Sequence, residues 1–228
     1  MTEYILSIDP GLSSGVALIG YEPDKAPWLE KAWQFGTGVA GMKAWIRKYW
    51  SGSFWDSYND EPNTRGFYSW KMGVDGPLDF DGHIEHNYES DNEDDWEAEV
   101  PGNVIVIAEK FTARNTKGFS YTTASLEALR VEGGLVWEGL MPDYSPSEKR
   151  YRDPNLQYLV GGKDLADKKK RRDRFLKESG FYVTPKELGA PDANDARSAI
   201  SHGLNYLARE VKHKPTWNLI TDWTEANG

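Results

Sequence analysis

Tyr4-Ile5-Leu6-Ser7-Ile8-Asp9-Pro10-Gly11-Leu12-Ser13-Ser14-Gly15-Val16-Ala17-Leu18-Ile19-Gly20 is the stretch that decides the fold. Tyr4 to Ile8 is an apolar run of strand length, the pattern of a strand buried on both faces. Pro10-Gly11 and Ser13-Ser14 are turn residues. Val16 to Ile19, enclosed by glycines, reads as a second strand hairpinned to the first. The first strand ends on a carboxylate, Asp9.

Working outward, 28–35 reads as a third strand, and Met42, Trp45, Ile46 and Tyr49 recur at helical spacing. Val104-Ile105-Val106-Ile107-Ala108 repeats the buried-strand pattern and again ends on an acid, Glu109. After a polar loop, 122–140 reads as a helix with Leu126, Leu129, Leu135 and Val136 inward. Its Gly133-Gly134 pair marks a close approach. A short strand near 143–145, a basic helix over 164–179 and a last helix over 192–211 complete the order. Strands and helices interleaved in this way predict an α/β fold, a mixed five-stranded sheet flanked by helices. Residues 1–212 read as one domain. Residues 213–228, with Pro215 and Asn227-Gly228, read as a polar C-terminal tail that frays.

The absence of cysteine removes disulfides, thiol catalysis and Cys-ligated zinc, and fits a reducing cytoplasm. No apolar run approaches the ~20 residues that span a bilayer, and no leader-like segment precedes the first strand. The expectation is a cytoplasmic protein without a membrane partner. The net charge of −9 argues against nucleic acid only as an average, because charge is segregated. Residues 51–102 hold 14 acidic and two basic side chains, or −12, which leaves +3 for the rest. That acidic stretch also carries aromatics from Phe54 to Trp96 and reads as a partly ordered insertion. Residues 163–177 carry eight basic against three acidic side chains, the local positive surface that gripping phosphates requires.

Four acids stand where a metal-dependent phosphodiesterase needs them. Asp9 and Glu109 end buried strands, and Asp192 and Asp195 lie one turn apart at the start of a small-residue helix. Ala193, Ala196, Ile200, Leu204 and Leu207 form the apolar face that docks that helix. His202, seven residues after Asp195, falls on the carboxylate side, toward phosphate or solvent. Carboxylates on rigid strand ends facing a helical pair make an oxygen-rich cage suited to Mg²⁺, and two such ions supply what phosphodiester hydrolysis needs. Asp9 is the candidate bridging ligand and Glu109 the lateral one. Singly, each acid has a blander reading: a turn former, a solvated strand end, a residue favouring the helix dipole.

Lys168-Lys169-Lys170-Arg171-Arg172 reads as a backbone clamp if it is more than a solvated face. Lys163 is a second candidate, because Gly161-Gly162 lets a phosphate come close. The loop after Glu109 mixes Lys110, Arg114 and Lys117 with Phe111, Phe119 and Tyr121, a combination suited to stacking on exposed bases.

Ile8-Asp9-Pro10-Gly11 with Ser14-Gly15, the strand-end Glu109, and Asp192-Ala193-Asn194-Asp195-Ala196 resemble the motifs of RuvC-type Holliday junction resolvases. Tyr144-Ser145-Pro146-Ser147-Glu148 and 160–168 are similar to a further segment of that family. The resemblance covers roughly 3–20 and 104–208. It implies an RNase H-like fold, two Mg²⁺ ions per site with Mn²⁺ as substitute, and catalysis by Asp9, Glu109, Asp192 and Asp195. It further implies that Lys168 contacts DNA near the cleaved phosphate, that Phe111 stacks at the junction centre, and that a homodimer cuts four-way junctions and related branched DNA. The insertion 51–102 and the segment 150–159 depart from the family pattern, as in a divergent, phage-type member. Two other classes compete. An actin-like or sugar-kinase phosphotransferase also begins with a strand, an Asp and small residues, but requires further phosphate and adenosine loops that are not evident here. A non-catalytic branched-DNA binder would not need four carboxylates.

Overall fold

The computed structural model describes residues 2–49, 104–111 and 123–227. The insertion 51–102, and Arg114 and Lys117 in the loop after Glu109, lie outside the described residues. Strands β1 (Glu3–Asp9), β2 (Ser14–Tyr21), β3 (Trp28–Phe35), β4 (Val104–Glu109) and β5 (Tyr151–Arg152) form one sheet in the order β3-β2-β1-β4-β5. The first three pair antiparallel, and β4 lies parallel to both β1 and β5. The helices are α1 (Val39–Tyr49), α2 (Thr123–Trp137), α3 (Leu165–Glu178), α4 (Pro185–Leu188), α5 (Asn194–Arg209) and α6 (Lys214–Asn227), with a 3₁₀ turn at Pro154–Gln157. The fold is α/β, a mixed five-stranded sheet flanked by helices.

Strand alternation divides the core. Leu6, Ile8, Val16, Leu18, Val106 and Ala108 face α1 and α2, packing on Met42, Trp45, Ile46, Val131 and Leu135. Ile5, Ala17, Ile19 and Ile107 face the other way, onto Phe175 and Leu176 of α3 and Ala196, Ala199, Ile200, Leu204 and Leu207 of α5. The same parity puts Asp9 and Glu109 on the α5 face, one step beyond the last β1–β4 pair, Ile8 and Ala108. Two glycines let α5 approach. A Cβ on Gly15 would lie 2.1 Å from the Asp195 backbone carbon, and one on Gly203 would lie 2.6 Å from Ile19 Cδ1.

Three expectations are corrected. Asp143 and Tyr144 are exposed, with no strand at 143–145; the fifth strand is Tyr151–Arg152. Tyr151 buries its ring and donates to Pro142 O at 2.6 Å, while Arg152 donates to Asn205 Oδ1 at 2.7 Å. These partners let a charged dipeptide occupy a buried strand. On α2, Val131 and Leu135 are buried, whereas Leu126 and Leu129 are exposed and Gly133 faces open space. The segment 213–228 is no loose tail: Pro215 sits in the first turn of α6, where a missing N–H is harmless. Leu219, Ile220 and Trp223 pack on the α3–α5 core. His213 anchors the helix start, bonded to Thr216 Oγ1 and to Glu22 O. Among the described residues, no helix is long and apolar enough to cross a membrane.

Candidate active site

At one level across the sheet stand Gln34 on β3, Gly15 on β2 and Asp9 on β1, paired in register, with Glu109 beside Asp9 at the end of β4. The turn from Asp9 into β2 is pinned by Ser14, whose Oγ accepts from Gly11 N and donates to Gly11 O, both at 3.1 Å. Over this row passes the N-terminus of α5. Ala193, at its N-cap, offers no side-chain cap, and Gln34 replaces one. Its Oε1 accepts from Ala196 N at 3.0 Å and its Nε2 donates to Asp192 Oδ1 at 2.9 Å. The Asn194 backbone N–H first, and then that bond from Gln34, hold the exposed Asp192 carboxyl below its ordinary range.

One stripe of α5 then meets successive strand ends. Asp195 lies over Gly15, Ser198 stands near Asp9 with its hydroxyl donated to Gln157 Oε1 at 2.8 Å, His202 Nε2 bonds Glu109 Oε2 at 2.6 Å, and Asn205 takes the Arg152 guanidinium. These four residues recur at intervals of three, four and three, the spacing of a single helix face. A polar stripe of that kind ordinarily faces water, but here Ser198, His202 and Asn205 are all buried. His202 is therefore not poised toward phosphate or solvent. It holds one oxygen of Glu109, and its Nδ1 has no hydrogen-bond partner.

The carboxylates repel one another. Burial first, then the charges of Glu109 and Asp195, push Asp9 well above the usual carboxylate range, against the pull of Ser198 and Arg172. Asp195 is raised chiefly by burial, and then by Asp192 and Glu109; a hydrogen bond from Ser13 opposes the rise. Among the described residues no three His, Cys, Asp or Glu side chains are gathered closely enough to hold an ion as they stand. Glu109 Oε2 is turned onto His202, and Asp192 Oδ1 onto Gln34 and Asn194. The donor set suits a hard divalent cation nonetheless. It is all carboxylate oxygen, and the charge that raises Asp9 and Asp195 is charge a cation would neutralise.

The basic residues divide in two. Lys163, Lys169 and Lys170 are exposed, and the half-buried Lys168 sets its ammonium 5.9 Å from the Tyr158 ring centre. Arg171 is turned along the surface, donating to Asn227 O at 2.8 Å and lying over Trp223. Arg172 corrects the expectation of a phosphate contact. It is 1 % exposed and donates to Gln157 Oε1 and Ser198 Oγ, each at 2.9 Å. It shares an inward face with Phe175 and Leu176, three and four residues on. Phe111 is half-buried, its backbone N–H on Glu132 Oε2. Sequence reasoning missed Gln34, Gln157, Ser198 and the partner of His202; for Ser198 and His202 the signal was their spacing from Asp195.

No family model matches the chain, and neither a curated protein nor a solved structure resembles it significantly.

Proposed function

We propose that this protein is a Mg²⁺-dependent endonuclease that cuts branched DNA, four-way junctions above all, on an RNase H-like fold of the RuvC type. The observation that carries the reading is the convergence of Asp9 and Glu109, on adjacent strand ends, with Asp195, whose backbone lies over Gly15 beside Asp9. The sheet order, with its antiparallel hairpins followed by parallel strands, is compatible with that fold.

Asp9 and Glu109, fixed on strand ends, and Asp195 and Asp192, fixed on α5, are the residues that would hold the metal. When bound, divalent cations supply a water that is nucleophilic at neutral pH and neutralise charge on the scissile phosphate. The protein's part is placement. Gly15 lets the α5 carboxylates come down onto the strand-borne pair, Gln34 fixes the helix start, and His202 fixes one Glu109 oxygen. Lys163 and Lys168 to Lys170, at the opening of α3, provide the phosphate-tracking charge. A homodimer would present two such sites with the two-fold symmetry of a four-way junction.

The test is cleavage of a synthetic four-way junction, with linear duplex and nucleotide hydrolysis as comparisons, in Mg²⁺, Mn²⁺ and EDTA. Junction cleavage in both metals and none in EDTA is the expected result. Nucleotide hydrolysis without DNA cleavage would replace the reading with a phosphotransferase.

A further inference from the structure

Away from the carboxylates, a cavity of about 250 Å³ opens between α5, α6 and the segment after the 3₁₀ turn. Leu159, Ala208 and Ile220 give it an apolar lining. One buried side chain brings a free donor to it. Asn205 is 4 % exposed, and its Oδ1 accepts from the Arg152 guanidinium at 2.7 Å. A guanidinium only donates, so the amide oxygen must face Arg152 and the NH₂ must face away. Asn205 lines the cavity, and its Nδ2 has no hydrogen-bond partner among the described residues. Unlike Nε of Arg152, that nitrogen is not sealed from solvent, so it opens on the cavity. Glu225, on the α6 side, offers an acceptor.

Ala208, Arg209 and Trp217 line both this cavity and an adjoining recess of about 550 Å³. Together the two spaces fall within the range of small-ligand sites, roughly 300–1,000 Å³. The Trp217 indole is 49 % exposed. The recess carries Arg209, Lys212 and Lys214, all exposed and none with a side-chain partner among the described residues. Its one carboxylate, Glu210, is already paired with Arg152 at 3.2 Å. Local structure does not call for these lysines. Lys212 holds φ 59°, a left-handed conformation that glycine adopts more readily. Lys214 opens α6, where the macrodipole disfavours a cation, and no acid stands in that first turn.

An exposed aromatic face, a donor and an acceptor in an apolar cavity, and unpaired cations beside it match the parts of a nucleotide: ring face, base edge and phosphate. Cations spread from 209 to 214 suit successive phosphates of a strand better than a single one. A base stacked and paired in a duplex could not enter the cavity. We propose that this surface is a second nucleic-acid site, which takes one base of an unpaired DNA strand against Trp217 and Asn205 and sets the backbone on Arg209, Lys212 and Lys214. It lies roughly 20 Å along α5 from Asp195 and does not rest on the carboxylates holding a metal.

The experiment is an anisotropy titration of a labelled single strand of about twelve nucleotides against the full chain in EDTA, with duplex as comparison. Trp217→Ala is expected to weaken single-strand binding about ten-fold and to leave duplex binding near the parent value. Trp217→Phe, which keeps a stacking face, should recover most of the loss. Lys212→Gln with Lys214→Gln, both exposed, should lower the log–log salt slope by about 1.4, at about 0.7 per contact for a single strand. Ultraviolet cross-linking of a bromouracil-substituted strand should mark Trp217. Unchanged affinity and slope in these variants would overturn the proposal, as would equal losses for duplex. Displacement of the strand by dAMP at equal nucleotide concentration would overturn it in favour of a small-nucleotide pocket. If Trp217→Ala changed only the molar mass seen by light scattering, the surface would instead be a contact between copies of the chain. No arm reads cleavage, so failure here leaves the nuclease reading to its own test.

Discussion

Against α1 and α2 the sheet presents Leu6, Ile8, Val16 and Leu18, closed over by Trp33, Trp45 and Met42. Against α5 the same strands present Ile5, Ser7 and Asp9 from β1, with Ser198, Ser201, His202 and Asn205 buried opposite and Arg172 behind them. Adjacent residues of one strand thus serve two unlike interiors. The first is apolar and aromatic and needs only to exclude water. The second carries polar groups whose burial is costly without a partner, and Ser198, Ser201 and Asn205 each have one. A fold needs the first kind of face for stability. The second kind is chemically demanding, and its Ser198 and His202 stand beside the carboxylates. The difference predicts that substitutions at the carboxylate end of the α5 face change chemistry, whereas those on the α1–α2 face change stability alone.

The largest expected effect is at Asp9. Asp9→Asn keeps the size and removes the charge, and should reduce junction cleavage on the order of 10³-fold or more. Junction binding should be unchanged or tighter, since a repulsive charge is gone. Glu109→Gln and Asp195→Asn should behave alike, with a smaller loss for the exposed Asp192→Asn. Single-turnover cleavage, with binding measured separately in Ca²⁺ or EDTA, checks this. Cleavage near the parent rate would sink the site.

Next comes Gly15, where helix and sheet touch. A Cβ there would meet the Asp195–Ala196 backbone at 2.1–2.3 Å, and backbone cannot step aside as a side chain can. Gly15→Ala should cost about 1–3 kcal/mol and, by displacing the α5 carboxylates from Asp9, slow cleavage by up to about 100-fold. Gly203→Ala, on the same helix, meets the flexible end of Ile19 and should cost stability while sparing most of the rate. Equal loss of rate at both glycines would mean that helix height along its whole length, not its N-terminus, sets the site.

Much of this was legible in the sequence. The apolar runs ending at Asp9 and Glu109, and the Asp192–Asp195 spacing, place four acids on the elements that bring them to one end of the sheet. The sheet order, and the way α5 lies across it, were not legible, because they depend on pairings between distant segments. Arg172 was misread because a run of basic residues looks solvated when read linearly. Counted by helical turn, it stands with Phe175 and Leu176 on the buried face. The same count places Ser198 and His202 with Asp195, but whether a polar stripe is buried depends on what lies opposite. Gln34 gave no signal at all, since its partners are 158 and 162 residues away. The fifth strand escaped notice because two residues carry no periodicity, and its Arg152 is made acceptable by Lys149 O, Asn205 and Glu210.

A smaller effect is expected on the outer side of α3, where the exposed lysines contrast with the buried Arg172. Lys169→Ala with Lys170→Ala should weaken DNA binding a few-fold at moderate salt and lower the log–log salt slope by about 0.9 per lost phosphate contact. Binding isotherms at several salt concentrations give the slope directly. An unchanged slope would show that these lysines are solvated and that the phosphate-tracking surface lies elsewhere.

The smallest effect is expected deep in the opposite face. Trp45 packs edge-on to Trp33 at 5.3 Å and stacks on Phe35 at 6.4 Å, but its indole N–H is buried without a partner. Trp45→Ala would open a cavity and cost about 3–5 kcal/mol. Trp45→Phe keeps an aromatic ring and removes the orphan donor, whose burial is worth about 1–3 kcal/mol against the lost packing. The two contributions oppose each other, so Trp45→Phe should change unfolding free energy by less than about 1 kcal/mol and leave cleavage per folded molecule unaltered. Urea melts paired with single-turnover assays test both halves. A fully folded Trp45→Phe protein that cut several-fold more slowly would show that the aromatic face is mechanically coupled to the carboxylates through β1 and β2, and the separation of the two faces would fail.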